Sequence, residues 1–348
     1  MPAFLAACAG ERAGAPGSAE GPAAVRAEAP VLVSAARAGT VHVEPVIAAS
    51  PRDPSRLVAA AMVVDRPRSD RWHDSQHVVV YASRDAGRSW QPRPLPGLPD
   101  GWMSGDPWLT WTGGDAVYLS CVVSESVLDG RPVAVWVFRS GDGGWTWSGP
   151  TPAFPAGTEH DHPVIASGPG PQGEPRVAVF ATRAGREGEG VDVAILPPEA
   201  GEAAALPPFL TETRTANLGS GAVLPDGAGL VFTWFRMPDP PRGLWAVAGD
   251  GRGSWTPVRL REGILPVGFP ALTVDASEGE YRGRVYAAWV EGADPVDQRE
   301  LRVLVSGSDD GGRSWSPPVR VHRHDVATQR TLPTVAVNRH GEVAAAWL

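Results

Sequence analysis

Lysine is missing altogether, so all 31 basic residues of this 348-residue chain are arginine. Without an ε-amine the chain has no Schiff-base nucleophile and no phosphate-loop lysine. A GC-rich genome explains the bias more simply than any adaptation, since arginine replaces lysine throughout rather than at chosen positions. Cysteine is almost as scarce, and two residues, Cys8 and Cys121, do not make a disulfide framework. No apolar run approaches the ~18 residues of a membrane-spanning helix. A net charge of −8 with no basic cluster argues against a nucleic-acid partner. Helical periodicity is absent from end to end.

What the chain has in quantity is punctuation, with 41 Gly and 36 Pro, and tryptophan, with 14 residues. Dense turns imply short strands, and the length is enough to bury a large core in one β fold. The pattern S-x-D-x-G-x-[ST]-W occurs three times. Its copies carry Ser83, Asp85, Gly87 and Trp90, then Ser140, Asp142, Gly144 and Trp147, then Ser308, Asp310, Gly312 and Trp315. Each follows an apolar run, such as Val78-Val79-Val80-Tyr81. The Asp therefore falls where a hairpin reverses, accepting backbone N–H groups, while Gly supplies φ > 0 and Trp opens the returning strand. A fourth copy keeps Asp250, Ser254 and Trp255 but has Arg252 in place of the Gly. One further turn, expected near Pro197 to Pro208, has lost the motif.

Between these turns a second anchor recurs, a Pro followed by an apolar strand. It stands at Pro45, Pro107, Pro163, Pro270 and Pro333, with Gly221 as a copy lacking the Pro, at broadly even intervals. Such intervals hold four short strands each. Six tandem four-stranded antiparallel sheets without linkers predict an all-β, six-bladed β-propeller, because radial closure removes the exposed edges. Only Thr334 to Leu348 follow Pro333, enough for two strands, so the last blade is expected to borrow from the N-terminal side, with Pro30-Val31-Leu32-Val33 and Thr40-Val41-His42-Val43 as donors. The domain reading is a propeller over residues 30–348 behind a tether over residues 1–29. In that tether Leu5-Ala6-Ala7-Cys8 is similar to a bacterial lipobox, although no basic or long apolar segment precedes it. Either the natural start lies upstream or the match is chance. A lipid on Cys8 is the one membrane contact expected, with the protein outside the cytoplasm and monomeric. Cys121 ends an apolar run and reads as a small core residue.

Together the turns and the Pro-led strands resemble the sialidase superfamily of six-bladed propellers with BNR, or Asp-box, repeats, over about residues 40 to 348. The resemblance implies a scaffold whose Asp-box residues are structural and whose ligand, a carbohydrate or glycoprotein, lies at the channel mouth. It would also imply an arginine trio, a tyrosine nucleophile with a glutamate, and an aspartate acid/base. The family's Arg-Ile-Pro entry is missing, Pro51 to Arg56 standing there as a turn. Of the four tyrosines, Tyr81, Tyr118 and Tyr286 fall inside strands and Tyr281 in a loop. The catalytic set therefore does not transfer.

The propeller geometry points instead to polar residues just before each Pro anchor. Catalytic candidates are Glu44, Asp106 and Asp161. Ligand-binding candidates are His42, His160, His162 and Arg330, with Trp108 as a stacking platform for a sugar. Ser104, Glu159, Asn217, Ser220, Gln329 and Thr331 belong to the same set. The pairs His160/His162 and His322/His324 have a spacing that would put two imidazoles on one side of a strand, so they are weak metal candidates. No cofactor is expected, and Asp309-Asp310-Gly311-Gly312 lacks the alternating ligands of a calcium loop. Two functions remain open, a sialidase-like glycoside hydrolase and a non-catalytic glycan- or protein-binding scaffold, with a metal-dependent enzyme behind them.

Overall fold

The computed structural model describes residues 4–7, 29–37, 39–64, 76–125, 133–184, 189–197, 201–211, 216–236, 242–264, 266–292, 301–322 and 330–348. Its regular structure is β, apart from one 3₁₀ turn at Ala35–Arg37. Strand β1 is Phe4–Ala7. The first sheet has the order β2 (Val41–Ala49), β3 (Leu57–Val64), β4 (Gln76–Ser83), β5 (Gln91–Arg93), and the second β6 (Met103–Trp111), β7 (Val117–Ser124), β8 (Ala134–Ser140), β9 (Ser148–Pro152). The third runs β10 (Glu159–Pro169), β11 (Pro175–Ala184), β12 (Glu189–Leu196), β13 (Ala204–Ala205), with β14 (Phe209–Thr211) also on β12. A fourth has β15 (Ala216–Val223), β16 (Leu230–Arg236), β17 (Gly243–Gly249), β18 (Trp255–Glu262), and a fifth β19 (Ala271–Val274), β20 (Val285–Glu291), β21 (Arg302–Ser308), β22 (Val319–Arg320). The last pairs β23 (Thr334–Val337) with β24 (Val343–Trp347), and β1 adds to the free side of β24.

In the last sheet the structure departs from the expected donors. Thr40 precedes, and Val41–Val43 open, the first strand of the first sheet, and Val33 starts a turn. The strand on β24 is Phe4–Ala7, from the stretch read as tether, in register from Phe4 opposite Trp347 to Ala7 opposite Ala344. An open edge needs a backbone partner, and any short extended segment within reach supplies one. Cys8 lies outside the described residues.

Contacts divide the chain into two compact units. One comprises Val31–Leu230 with Gly249–Trp255, the other Val231–Ala248 and Thr256–Leu348 with β1. In the first unit the core lies between sheets, where Val58, Val80, Leu119, Cys121 and Phe138 form one buried cluster and Tyr118, Ile165, Val179 and Ala194 another. In the second, Leu244, Trp289 and Phe235 pack together. Burial holds the Cys121 thiol far above its ordinary pKa, so it is an inert core residue.

The repeated turns close as their sequence predicts. Ser83, Ser140 and Ser308 donate Oγ–H to Asp85, Asp142 and Asp310 at 2.8, 2.8 and 2.9 Å. Each serine Oγ accepts the N–H of the motif glycine, and each tryptophan Nε1 donates to that glycine's carbonyl at 3.0 Å. Gly87, Gly144 and Gly312 all have positive φ, in the left-handed region that an L side chain rarely adopts. The Arg252 copy is looser. Asp250 accepts two backbone N–H groups, and Trp255 donates to Pro207 in the segment that lost its motif. Arg176 braces it with bonds to the carbonyls of Gly227, Ala228 and Gly251.

Candidate functional site

Three sheets of the first unit break register at equivalent places. Pairing slips between Val43 and Val46, between Gly105 and Trp108, and between Asp161 and Val164. The residue before each proline, Glu44, Asp106 or His162, turns left-handed, with φ of 52°, 47° and 46°. Proline crowds the residue before it and cannot donate to a ladder, so the strand bulges there. A non-glycine residue in this conformation costs on the order of 1–2 kcal/mol. Three successive sheets bear that cost at an ionisable residue, and Leu332, before Pro333, bears it at an apolar one, with φ of 50°.

The bulges bring the three side chains together, with Asp161 as a fourth. His162 Nδ1 stands 3.5 Å from Asp106 Oδ2, and its Nε2 stands 3.7 Å from Asp161 Oδ2. Asp161 Oδ1 accepts the His162 backbone N–H at 3.0 Å. Glu44 and Asp161 both lie close enough to Asp106 to shift its titration. Burial, then the Glu44 hydrogen bond and charge, push the Asp106 carboxyl up to about 6, against a downward pull from His162 and Asp161. Asp161 is also raised, by burial first and by Asp106, with His162 opposing. The Asp161 side chain is much the more exposed of the two aspartates. Water therefore screens Asp161 more, and Asp106 is the better proton store. Asp106, Asp161 and His162 each offer a ligand atom within 4.8 Å of the others, so among the described residues this trio is the set able to hold a metal ion.

The other candidates are placed elsewhere. His160, 2% exposed, stacks on Phe154 with centroids 4.2 Å apart and bonds Asp192 Oδ2 at 2.8 Å. The bulge after Asp161 separates it from His162, so the His160/His162 metal pair does not form. His42 Nε2 meets the Tyr81 hydroxyl at 2.7 Å. Trp108 is half-buried and packs against the core around Tyr118 and Ile165, leaving only part of its ring to receive a sugar. Ser104 accepts the Val78 N–H at 2.8 Å, a structural bond. Arg330 is 6% exposed and donates to the Leu301 carbonyl at 2.8 Å, both in the second unit. His322 stands with its ring 6.4 Å from Trp347, while His324 and Gln329 lie outside the described residues.

Sequence reasoning missed Asp192 and Arg183. Asp192 Oδ2 accepts from Arg183 Nε at 3.0 Å as well as meeting His160, and it anchors the strand carrying Asp161 and His162. The signal was present, because a carboxylate inside the apolar run Val191-Asp192-Val193 must be paired if buried.

No family model matches the chain, and neither does any curated protein. Solved structures do. The Hadza microbial sialidase Hz136 is similar at TM-score 0.58 and 14% identity over 87% of this chain and 64% of its own, so this chain spans less than two thirds of that sialidase. An intramolecular trans-sialidase from Ruminococcus gnavus matches at TM-score 0.62 and 11% identity, covering 88% and 90%. An α-L-arabinanase from Penicillium chrysogenum matches at 0.54 and 14%, covering 88% and 93%. At such identities the likeness speaks for the fold, and the chain has the fold shared by these sialidases and arabinanases.

Proposed function

We propose that this protein is a glycan-active hydrolase whose six sheets are the blades of one propeller and whose chemistry lies at Glu44, Asp106, Asp161 and His162. The observation that carries the reading is that three equivalent bulges deliver ionisable groups to one point. Asp106, protonated up to about pH 6, supplies the general acid, and the more exposed Asp161 supplies the ionised carboxylate. His162 lies between them and stabilises the ionised partner. The kinship in fold with glycosidases supports a sugar substrate by analogy.

The test is hydrolysis of a fluorogenic glycoside panel by wild type, Asp106→Asn and Asp161→Asn. A loss of about a hundredfold or more in kcat for either variant is expected, and unchanged turnover in both would refute the assignment. A non-catalytic glycan- or protein-binding propeller is the second reading. It is favoured by the burial of Tyr81 and Tyr118, 2% and 6% exposed, which removes both as sialidase-type nucleophiles. Binding without turnover would select it. We place the protein outside the cytoplasm because of the lipobox-like Leu5 to Cys8, a placement to be tested by palmitate labelling of wild type against Cys8→Ser.

A further inference from the structure

We propose that the Asp106 site takes a glycoside whose sugar carries no carboxylate, preferring an amino sugar over a neutral one, and that its own carboxylates reject sialosides. The proposal rests on the glycan reading above and narrows it to a substrate class. Its basis is the sign of the charge gathered at the bulges. Glu44, Asp106 and Asp161 meet there, and the His162 ring already faces both aspartates, at 3.5 and 3.7 Å. Two described arginines of the same unit are engaged elsewhere. Arg183 is held by Asp192 at 3.0 Å, and Arg37 meets His77 at 3.2 Å.

A sugar carboxylate brought to this point would join three acidic side chains already gathered by the bulges. At about 5 Å and an effective dielectric of about 20, each ionised neighbour disfavours such a ligand on the order of a hundredfold. An ammonium on the sugar has the opposite effect, since a positive charge beside carboxylates is attracted by the same Coulomb energy. A neutral sugar lies between. The fold accommodates this choice, because the structures that share it include an arabinanase as well as sialidases.

The experiment compares umbelliferyl glucosaminide, neutral pentosides and hexosides, and a sialoside as substrates of the full chain at pH 6. Equilibrium binding of the corresponding free sugars is measured alongside. The expected order is amino sugar, neutral sugar, sialoside, with the last at least tenfold weaker than the neutral ligands. Asp161→Asn, which keeps an oxygen for the His162 N–H, should shrink the neutral-to-sialoside ratio in binding by about tenfold, less than the unscreened value because water reaches the half-exposed Asp161. A sialoside bound or cleaved as well as the neutral sugars overturns this proposal and leaves the hydrolase reading intact. A ratio unmoved by Asp161→Asn overturns the electrostatic cause. If no glycoside is bound or cleaved, both readings fall.

Discussion

Asp106→Asn should make the protein more stable above pH 6 while removing its activity. The Asp106 carboxyl is raised in the fold from an ordinary 3.8 to about 6, chiefly by burial and by Glu44. A raised carboxyl means that the fold prefers the protonated form. Below the unfolded value both states carry the proton, and the group's contribution is fully present. As pH climbs from about 4 to about 6 the unfolded chain ionises first, and wild type loses stability. The loss is complete above about 6, and at about 1.36 kcal/mol per unit it amounts to on the order of 2–3 kcal/mol. Asparagine has no charge to desolvate, and its amide N–H groups can donate to the Glu44 and Asp161 carboxylates. Urea unfolding followed by tryptophan fluorescence at intervals from pH 4 to pH 8 measures the difference. The two proteins should be nearly equal near pH 4, and the variant ahead by up to ~3 kcal/mol, roughly 3–6 °C in Tm, at pH 7. A difference that does not change with pH, or a variant less stable at pH 7, would refute the account of the site.

Gly144→Ala should be far worse than Gly101→Ala, although φ is 82° at one and 80° at the other. An alanine Cβ at 144 would run into the Val58 side chain, whereas at 101 it meets nothing within 4 Å. The expected costs are about 3 kcal/mol or more and about 1 kcal/mol, read by denaturant midpoint. Asp142→Ala removes the acceptor for Ser140, Trp145 and Thr146 and should cost about 1–3 kcal/mol at pH 7; an equal stability would show the turn to be ornamental.

The strands and their turns were legible because both are local. Alternating runs, a turn motif with one conformation and a proline at five of the six first strands carry their structure in a few adjacent residues, so sheet order followed from chain order. That Glu44, Asp106 and Asp161 stand close before strand-leading prolines was also legible, because that placement is local. What could not be read was which neighbours each would meet. His160 and His162 share a period-two spacing, yet one is locked to Asp192 and the other turned by the bulge to Asp106. Arg330 looked like a ligand for an anion and is spent on the carbonyl of Leu301, far back along the chain. The added strand Phe4–Ala7 was read as tether because four apolar residues have no intrinsic preference for a distant edge.

The turns and the site pull stability in opposite directions with pH, and the sequence motif alone shows only half of this. In the turns, Asp85 is held down at about 2 by the Ser89 side chain and backbone and by Ser83. Asp142 and Asp310 are also lowered; burial would raise them, but their hydroxyl and backbone donors outweigh it. A lowered carboxyl contributes stability above its unfolded value, and that contribution is lost as pH falls through the folded value. For Asp85 this means from about pH 4 down to about pH 2. The raised carboxyls act the other way, and for Asp106 the contribution is lost as pH rises from about 4 to about 6. Taken together these groups favour the fold most near pH 4, where the turns are becoming ionised and the loss at Asp106 has only begun. Asp106 still holds its proton at that pH, so the pH these groups favour is also one at which it can donate.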